Sequence, residues 1–195
     1  MSEPEQQPRT ADDLGHFFKS LLKNPLSIGA VAPSGRFLAR LMATTLEPGA
    51  RVIELGAGTG TVTQAILDAG VEPTDLYLVE QDARFVRVLA RRFPQCRIIA
   101  ADATSLCEHV GASRGSFDFV VSSLPLLLFS PERKLKLMAQ IFELLRPNGV
   151  LHQFTYGGRC PVDRELRGKL GLERSLIGIA PFNLPPAFVY RLERA

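Results

Sequence analysis

Residues 51–60 read Arg-Val-Ile-Glu-Leu-Gly-Ala-Gly-Thr-Gly, an apolar run that ends in alternate glycines. This pattern predicts a buried strand, a tight turn and the start of a helix. Gly56, Gly58 and Gly60 have no side chains to keep a ligand from the backbone, and the first turn of the helix presents unpaired N–H groups. Because Thr61 follows, the turn lacks the GxGxxG fingerprint of dinucleotide sites. The turn therefore predicts a site for another nucleotide-like ligand.

An acidic residue, Glu54, precedes these glycines at the predicted end of the strand. A carboxylate there attracts a cationic group and repels a phosphate. The motif resembles the first motif of class I S-adenosylmethionine-dependent methyltransferases, in which the glycine loop lies against the amino-acid part of the cofactor. The resemblance implies that Glu54 lies near the methionine ammonium. The alternative is a glycine-rich turn of a doubly wound sheet with no ligand.

Two more predicted strands end in acidic residues. Asp75–Glu80 has the pattern of a short buried strand, and Arg97–Ala101 is followed by Asp102, with a predicted helix over 83–93 between them. Parallel strands end at the same edge of a sheet, so these acids and Glu54 are expected to meet there. The resemblance implies an α/β fold: a doubly wound, mostly parallel, seven-stranded Rossmann-like sheet, here with an N-terminal amphipathic helix.

The predicted cofactor contacts follow the strand ends. Glu80, with Gln81 beside it, is expected to accept hydrogen bonds from both hydroxyls of a ribose, as one carboxylate can. Asp102, with Ala103, is expected to accept a hydrogen bond from the exocyclic amine of adenine.

Composition indicates one globular domain, because a chain of 195 residues that is 46% hydrophobic and 22% charged can bury a sizeable core. The net charge of +3 fits an anionic surface as a partner but does not require one. Cys96, Cys107 and Cys160 are dispersed and lack metal-ligand spacing, which predicts reduced thiols, a cytoplasmic protein and no metal site. Neither a signal peptide nor an apolar run of the ~20 residues needed to span a membrane is predicted.

The N-terminal region divides into two predicted segments before a methyltransferase domain over 25–195. Residues 1–9 are polar and predicted to be disordered, whereas 10–24 form an amphipathic helix. Its apolar stripe comprises Leu14, Phe17, Phe18, Leu21 and Leu22. Lys19 and Lys23 lie on or beside its polar side. Such a helix can lie on an anionic bilayer with its aromatic residues inserted, or pack against its own domain, and the sequence leaves both open.

The next segment narrows the resemblance. Between residues 25 and 35 the chain reads P-L-x-x-G-A-V-x-P-S-G, and E-L-G-A-G-T-G follows it. With the hydrophobic and cationic helix, this order resembles the bacterial phospholipid N-methyltransferases, which carry phosphatidylethanolamine through successive methylations to phosphatidylcholine. The resemblance implies that the segment closes over the cofactor. The residues expected near the cofactor are Ile28, Gly29 and Ser34. The alternative is that Pro33–Ser34 caps the next helix, predicted over 35–46.

A fourth predicted strand begins at Phe117 and ends in Ser123-Leu124-Pro125-Leu126 and an apolar loop. Methyltransferases that act on amines of planar bases usually carry Asn or Asp, then proline and an aromatic residue, at this position. This chain has neither the amide nor the aromatic residue. Ser123 and Leu124 are predicted to contact the cofactor, with Ser123 at the reacting centre. The leucine-rich rim suits an aliphatic head group with acyl chains. The alternative is an ordinary apolar turn.

A helix over Pro131–Leu145 and a fifth strand over Val150–Tyr156 are predicted next. Tyr156 ends that strand at the ligand edge, where it is predicted to bind a head-group oxygen or present its ring to a quaternary ammonium. His152 lies further from that edge and is predicted to be structural.

The last part of the chain, from Val162, predicts a charged helix and strands over Leu176–Ala180 and Phe188–Leu192 that form an antiparallel hairpin. Asn183, in the connection between these strands, is a predicted substrate contact. Basic residues here attract lipid phosphate or form a solvated face. They are Arg159, Arg164, Arg167, Lys169 and Arg174.

The resemblance implies N-methylation of phosphatidylethanolamine and its mono- and dimethyl derivatives by a peripheral protein on the cytoplasmic face of the membrane. The expected partners are S-adenosylmethionine, the phospholipid and an anionic surface, without nucleic acid or metal. An rRNA adenine N-methyltransferase has a similar sheet and glycine loop, but the modest +3 charge argues against tight RNA binding. A non-catalytic membrane-binding module that retains the cofactor pocket is the other alternative.

Overall fold

The computed structural model describes residues 33–111, 113–183 and 185–195. Its longer elements, in chain order, are α1 (Pro33–Ala43), β1 (Val52–Leu55), α2 (Thr61–Asp68), β2 (Leu76–Glu80), α3 (Ala83–Arg92), β3 (Arg97–Ala100), α4 (Leu106–His109), β4 (Phe117–Ser122), α5 (Pro131–Leu144), β5 (Leu145–Tyr156), α6 (Arg164–Leu170), β6 (Leu172–Ala180) and β7 (Ala187–Arg194). Short 3₁₀ turns lie at Pro73–Asp75, Ala103–Ser105 and Leu126–Leu128.

The seven strands form one sheet in the order β3-β2-β1-β4-β5-β7-β6. Strands β1 to β5 pair in parallel, whereas β7 is antiparallel to both β5 and β6. The predicted seven-stranded, mostly parallel sheet is therefore confirmed. The chain first builds outward from β1 to β3 and then returns to place β4 on the other side of β1. Such a switch point opens a crevice at the carboxyl ends of the strands, where ligands bind in sheets of this kind.

Side-chain alternation along β1 divides the core into two layers. Val52 packs in the layer that includes residues of α1, α2 and α3, whereas Ile53 and Leu55 pack in the layer that includes α5. All four residues of β1 are buried because helices cover both faces of the sheet. Glu54 points to the same face as Val52, towards α2.

Two helices beside the crevice begin at side-chain caps. The Asp82 carboxylate accepts a hydrogen bond from the Arg84 N–H at 2.8 Å at the start of α3. Ser130 accepts one from the Arg133 N–H at 3.2 Å, and Pro131 takes the first position of α5. Both caps pair N–H groups that lack partners within the helix, which fixes where each helix starts after its strand.

Several predicted boundaries differ from the structure. The helix predicted over 35–46 is Pro33–Ala43, and the last two strands begin earlier or end later than predicted, at Leu172–Ala180 and Ala187–Arg194. These strands pair from Leu172 opposite Arg194 to Ala180 opposite Ala187, with one shift of register between Leu176 and Gly178. The middle of β6 is exposed, so its sequence lacks the alternation that marks a half-buried strand. Residues 146–149, between the predicted helix Pro131–Leu145 and the predicted strand Val150–Tyr156, belong to β5. This strand begins at Leu145, which pairs with Phe117.

The predicted disordered segment 1–9 and the predicted helix 10–24 lie outside the described residues. Within the described part of the chain, no helix is both long and apolar enough to cross a bilayer. The three cysteines are free thiols, of which Cys96 is buried and Cys107 and Cys160 are partly exposed.

Candidate functional site

A cavity of about 500 Å³ lies at the carboxyl ends of β1, β2 and β4. Among its lining residues are six that the sequence predicted for the site and that lie at or just after the ends of β1, β2 and β3: Gly56, Gly58, Glu80, Gln81, Asp102 and Ala103. Ser123 and Leu124, after β4, complete this wall. A second cavity of about 500 Å³ lies between α1, α2 and α3, and no predicted site residue is among the described residues that line it. The first cavity is therefore the candidate site.

The glycine loop is tied to the end of β2. The Gly56 N–H donates to the Val79 carbonyl at 2.9 Å, and the Gly58 N–H donates to Glu80 Oε2 at 3.0 Å. Gly58 has a φ of +55°, and a Cβ built on it would approach only the Gly56 carbonyl, at 3.9 Å. Its outer side is thus open to the cavity, as a close approach between ligand and backbone requires.

Gly60 has a packing reason to be glycine in addition to the predicted one. It has a φ of +83°, and a Cβ at this position would overlap the ring of Phe93, which follows α3. Gly60 is buried and is not among the residues that line the cavity. The glycine therefore allows α2 and the end of α3 to pack closely, and its contact with the cofactor stays a prediction.

Glu54 is fully buried at the end of β1. Its Oε2 accepts a hydrogen bond from the Thr63 hydroxyl at 2.6 Å, whereas Oε1 has no hydrogen-bond partner among the described residues. Burial raises the pKa of Glu54 to about 8, although the hydrogen bonds from Thr63 act in the opposite direction. An unpaired, buried acceptor is costly unless a ligand supplies its partner, and a cationic donor is the best match for a carboxylate.

Both oxygens of Glu80 bind backbone N–H groups. Oε2 accepts from Gly58 at 3.0 Å and Oε1 accepts from Asp82 at 2.8 Å. The carboxylate therefore joins the glycine loop to the start of α3 and is held in a single position at the cavity wall. Each oxygen retains lone-pair capacity for a further donor, so the geometry is compatible with the predicted ribose contact.

Asp102, just after β3, is fixed by two contacts. Its Oδ1 accepts from the Thr104 N–H at 2.7 Å, and its Oδ2 pairs with the Arg133 guanidinium at 2.9 Å. Partial burial raises the pKa of Asp102, but the hydrogen bonds from Thr104 and the charges of Arg133 and Lys136 together lower it. Asp102 therefore presents an anionic acceptor at the predicted adenine position.

The loop after β4 is anchored by hydrogen bonds on both sides. The Ser123 N–H donates to the Leu55 carbonyl at 2.9 Å, and the Gln153 amide donates to the Leu124 carbonyl at 3.0 Å. A Cβ built on Gly56 would lie 3.1 Å from the Leu124 side chain, so the loop closes tightly against the glycine turn. Ser123 and Leu124 line the cavity, and their contact with the cofactor stays a prediction.

Sequence reasoning missed three side chains that shape the site. Arg133 and Phe129 line the cavity, and the guanidinium lies over the ring at 4.1 Å from its centroid. Gln153 is fully buried and positions the β4 loop. The only signal for Arg133 in the sequence was a cation in the first turn of a helix, a position that the helix dipole disfavours.

The predicted head-group residues lie away from this cavity wall. Tyr156 is buried and packs against Phe154 with ring centroids 5.5 Å apart. Burial raises the pKa of the Tyr156 hydroxyl, and a hydrogen bond from Asn183 lowers it in part. The Asn183 amide oxygen is buried without a partner among the described residues. Tyr156 and Asn183 are thus brought together, but neither lines the cavity.

His152 is fully buried between β5 and α1. Its Nδ1 lies 2.8 Å from the Met42 carbonyl oxygen and its Nε2 lies 3.0 Å from the Thr45 hydroxyl. Burial lowers the pKa of His152 to about 4, so the ring is neutral at pH 7. These contacts fit the structural role that the sequence predicted.

The remaining predicted site residues cannot be placed against the cavity. Ile28, Gly29, Phe17, Phe18, Lys19 and Lys23 lie outside the described residues. Ser34 belongs to the first turn of α1, but the structure does not describe its side chain. Over 33–111, 113–183 and 185–195, no group of three or more His, Cys, Asp or Glu side chains is arranged to hold a metal ion.

Known proteins resemble this chain over most of its length. Residues 52–149 match the family described as a methyltransferase domain. An ornithine lipid N-methyltransferase of Singulisphaera acidiphila is 31% identical over 185 residues, which cover 91% of this chain and 92% of the relative. A demethylmenaquinone methyltransferase of Renibacterium salmoninarum is 33% identical over 153 residues, 75% of this chain and 59% of the relative.

Solved structures share the fold at low identity. A 1,6-didemethyltoxoflavin-N1-methyltransferase of Burkholderia thailandensis, with bound S-adenosylhomocysteine, superposes with a TM-score of 0.67 at 18% identity, over 98% of this chain and 94% of the other. A magnesium protoporphyrin IX methyltransferase of Synechocystis, with bound S-adenosylmethionine, gives 0.60 at 14% identity, over 98% and 87%.

The cavity fits S-adenosylmethionine on two independent observations. Glu54, which lies two residues before Gly56 but is not itself among the residues that line the cavity, offers a buried, unpaired carboxylate oxygen for a cationic group. Gly58 leaves the backbone open for close approach. The residues that would hold the cofactor are Glu54, Gly56, Gly58, Glu80 and Asp102. With this cavity at the switch point of the sheet, the chain belongs to the class I S-adenosylmethionine-dependent methyltransferases.

Proposed function

We propose that this methyltransferase acts on the amine of a membrane lipid, namely phosphatidylethanolamine and its mono- and dimethyl derivatives, and so makes phosphatidylcholine. The observation that carries the proposal is the loop after β4. Leu124 and Leu128 line the cavity, and Leu127 and Leu128 are 38% and 40% exposed beside it. An exposed apolar rim at the mouth of a cofactor cavity suits acyl chains, because burial of each CH₂ contributes about 0.8 kcal/mol.

The same loop disfavours a nucleobase as the acceptor. Ser123-Leu124-Pro125-Leu126 provides neither a side-chain amide to hold a ring amine nor an aromatic ring to stack on a base. The ring of Phe129, further along the loop, already has the Arg133 guanidinium over it at 4.1 Å. The ornithine lipid N-methyltransferase of Singulisphaera acidiphila, which aligns over nearly the full length of both chains, also favours a lipid amine. Transfer of label to rRNA is therefore one of the outcomes that the test below distinguishes.

The proposed mechanism assigns the protein mainly to positioning. When bound, S-adenosylmethionine supplies an electrophilic methyl group for an amine nucleophile. Glu54 holds a cationic group at the end of β1, and Glu80 and Asp102 accept hydrogen bonds at the ends of β2 and β3, on one side of β1. The loop at Ser123 and Leu124 keeps water from the reacting centre and confines the amine. Such confinement can contribute several kcal/mol to the rate, since correctly oriented reactants lie about 3–3.5 Å apart.

Acid–base chemistry has a small part in this proposal. Glu80, Asp82 and Asp102 line the cavity, and each already accepts hydrogen bonds from the backbone. Hydrogen bonds from Arg84 lower the pKa of Asp82 to about 2, so that carboxylate is a weak base. We propose that the lipid amine enters neutral, after it loses its proton to water.

The proposed location is the cytoplasmic surface of the membrane. This part rests on the sequence of residues 10–24, whose apolar stripe and lysines suit an anionic bilayer. Deletion of 1–24 is expected to abolish sedimentation with anionic liposomes. Unchanged sedimentation of the truncated protein would remove the assignment of the membrane anchor to this helix.

The substrate is tested by transfer of label from S-adenosylmethionine. The purified protein is incubated with liposomes of phosphatidylethanolamine and an anionic lipid, with liposomes that lack any amine, and with rRNA fragments. We expect label in the phosphatidylethanolamine head group alone. Label in RNA, or in no acceptor although S-adenosylhomocysteine binds, would contradict the proposal.

A further inference from the structure

The cavity has an uneven distribution of charge. Its described lining includes Glu80, Asp82 and Asp102, but Arg133 is the one cation among those lining residues. Arg133 lies in the first turn of α5, where the positive end of the helix dipole disfavours another positive charge. Helix stability therefore does not explain why a cation occupies this position beside a ligand cavity.

The contacts of Arg133 leave room for an anion. Its Nη2 lies 2.9 Å from Asp102 Oδ2, and its guanidinium carbon lies over the ring of Phe129, 4.1 Å from the ring centroid. The Arg133 side chain remains 43% exposed. A guanidinium has five N–H donors, and Asp102 is its hydrogen-bond partner among the described residues. The remaining donors can bind a phosphate or carboxylate in a bidentate manner.

The pair with Asp102 does not by itself explain this arginine. The Asp102 and Arg133 side chains are 42% and 43% exposed, and ion pairs at such exposure contribute little to stability. Asp102 is also already held by the Thr104 N–H at 2.7 Å. The ion pair is therefore not needed to hold Asp102 in place. Arg133 has unused hydrogen-bond donors at this position.

The apolar rim lies on the same side of the cavity as this cation. Leu128 and Phe129 line the cavity with Arg133, and the exposed Leu127 precedes them. A zwitterionic amphiphile matches this arrangement. Its anionic group would bind Arg133, its chains would lie over the leucines, and its amine would point towards Ser123. A small soluble amine would use neither the cation nor the rim.

We propose that Arg133 binds the anionic group, phosphate or carboxylate, that neighbours the acceptor amine of the lipid substrate. This inference rests on the proposed function, because it names the substrate-recognition residue of the same site. Arg133 acts as a specificity determinant: it selects amphiphiles that carry an anion close to the amine over simple alkylamines.

The test measures binding apart from methyl transfer. Short-chain probes are titrated by calorimetry into the full chain loaded with S-adenosylhomocysteine. The probes are dihexanoyl phosphatidylethanolamine, which carries phosphate, N-acyl ornithine, which carries carboxylate, and decylamine, which carries no anion. The variants are Arg133→Gln and Arg133→Lys. The matched control is Lys134→Gln, which removes the same charge from the next residue, whose amine contacts the Pro161 carbonyl at 3.4 Å.

We expect Arg133→Gln to weaken the two anionic probes by about tenfold or more, and decylamine by less than about twofold. Arg133→Lys should recover part of the phosphate affinity, because lysine supplies a point charge without the planar fork. Lys134→Gln should leave all three probes unchanged. The ratio of the two anionic probes in the wild type then identifies which anion the site prefers.

Equal weakening of all three probes by Arg133→Gln, or no weakening of the anionic ones, would overturn the assignment. Weaker binding of S-adenosylhomocysteine without any change in probe selectivity would also overturn it, because Arg133 would then act only through Asp102. A wild type that binds the anionic probes through Arg133 but methylates none of them would support the anion site and contradict the proposed function.

Discussion

The Thr63 hydroxyl of α2 donates a 2.6 Å hydrogen bond to the fully buried carboxylate of Glu54 at the end of β1. The other oxygen of that carboxylate has no hydrogen-bond partner among the described residues. The carboxyl is thus positioned by the fold but only half satisfied by it. This relationship makes Glu54 sensitive both to pH and to a cationic ligand.

The pH dependence of stability follows from the pKa of Glu54. Burial raises this pKa from an unfolded value of 4.5 to about 8. Between these pH values the folded state keeps a proton that the unfolded state loses. The stability contribution of the protonated carboxyl is therefore complete below pH 4.5 and is lost as pH rises to about 8, with a slope of at most about 1.4 kcal/mol per pH unit.

Urea unfolding of the wild type and Glu54→Gln across this pH range checks the prediction. As pH rises, the free energy of unfolding of the wild type should fall relative to that of Glu54→Gln, because glutamine does not titrate. Parallel curves would mean that Glu54 is not the titrating group.

Cofactor binding should release a proton. A cationic ligand group beside Glu54 favours the carboxylate, so binding below pH 8 ionises a group that was protonated before. Calorimetry of S-adenosylhomocysteine in buffers of different ionisation enthalpy should report close to one released proton near pH 6.5. Glu54→Gln should abolish that release and weaken binding by about tenfold or more. A wild type that releases no proton would place the ligand ammonium elsewhere.

Alanine at the two loop glycines should have separable effects. Gly58→Ala should cost about 1–2 kcal/mol of stability from its positive φ and should strongly weaken cofactor binding, since its Cβ projects into open space at the cavity. Gly60→Ala should cost more stability, because its Cβ would overlap the Phe93 ring. Gly49→Ala is the matched control, with a φ of +81° and no atom within 4 Å of the added Cβ.

Thermal unfolding and calorimetry of S-adenosylhomocysteine measure these two properties in parallel. Cofactor affinity that survives Gly58→Ala at the wild-type level would show that the ligand does not approach this part of the loop.

His152 should matter for stability alone. Replacement by phenylalanine leaves the Met42 carbonyl and the Thr45 hydroxyl without the ring nitrogens that they contact, which should cost about 1–3 kcal/mol for each buried group left unpaired. Because burial lowers the pKa of His152 from 6.5 to about 4, the contribution of the neutral ring is present above pH 6.5 and is lost as pH falls to about 4. Urea unfolding measures the loss, and unchanged affinity for S-adenosylhomocysteine at low temperature separates it from a role in binding.

The elements around β1 could be predicted from sequence because their signals are local. Each buried strand is a short apolar run, and Glu54, Glu80 and Asp102 follow directly where those runs end. Parallel pairing then brings residues from separate strands to one edge without further information. The loop at Ser123 and Leu124 was found for the same reason.

Features that depend on distant residues could not be predicted in this way. The overlap that explains Gly60 involves Phe93, and the partner of Asp102 is Arg133, 31 positions further along the chain. Tyr156 was assigned to the ligand edge from its place at the strand end, yet packing buries it against Phe154. A strand end determines which edge a residue approaches, whereas side-chain packing determines whether it reaches the cavity.

Mass spectrometry of the lipid product tests the central claim most directly. Liposomes of phosphatidylethanolamine and an anionic lipid are incubated with S-adenosylmethionine and the full chain, and the lipid masses are followed over time. The account predicts phosphatidylethanolamine that gains one methyl group, then two, then three, with Glu54→Gln slowing the whole series. Lipid masses that stay unchanged while the protein binds S-adenosylhomocysteine would contradict the account.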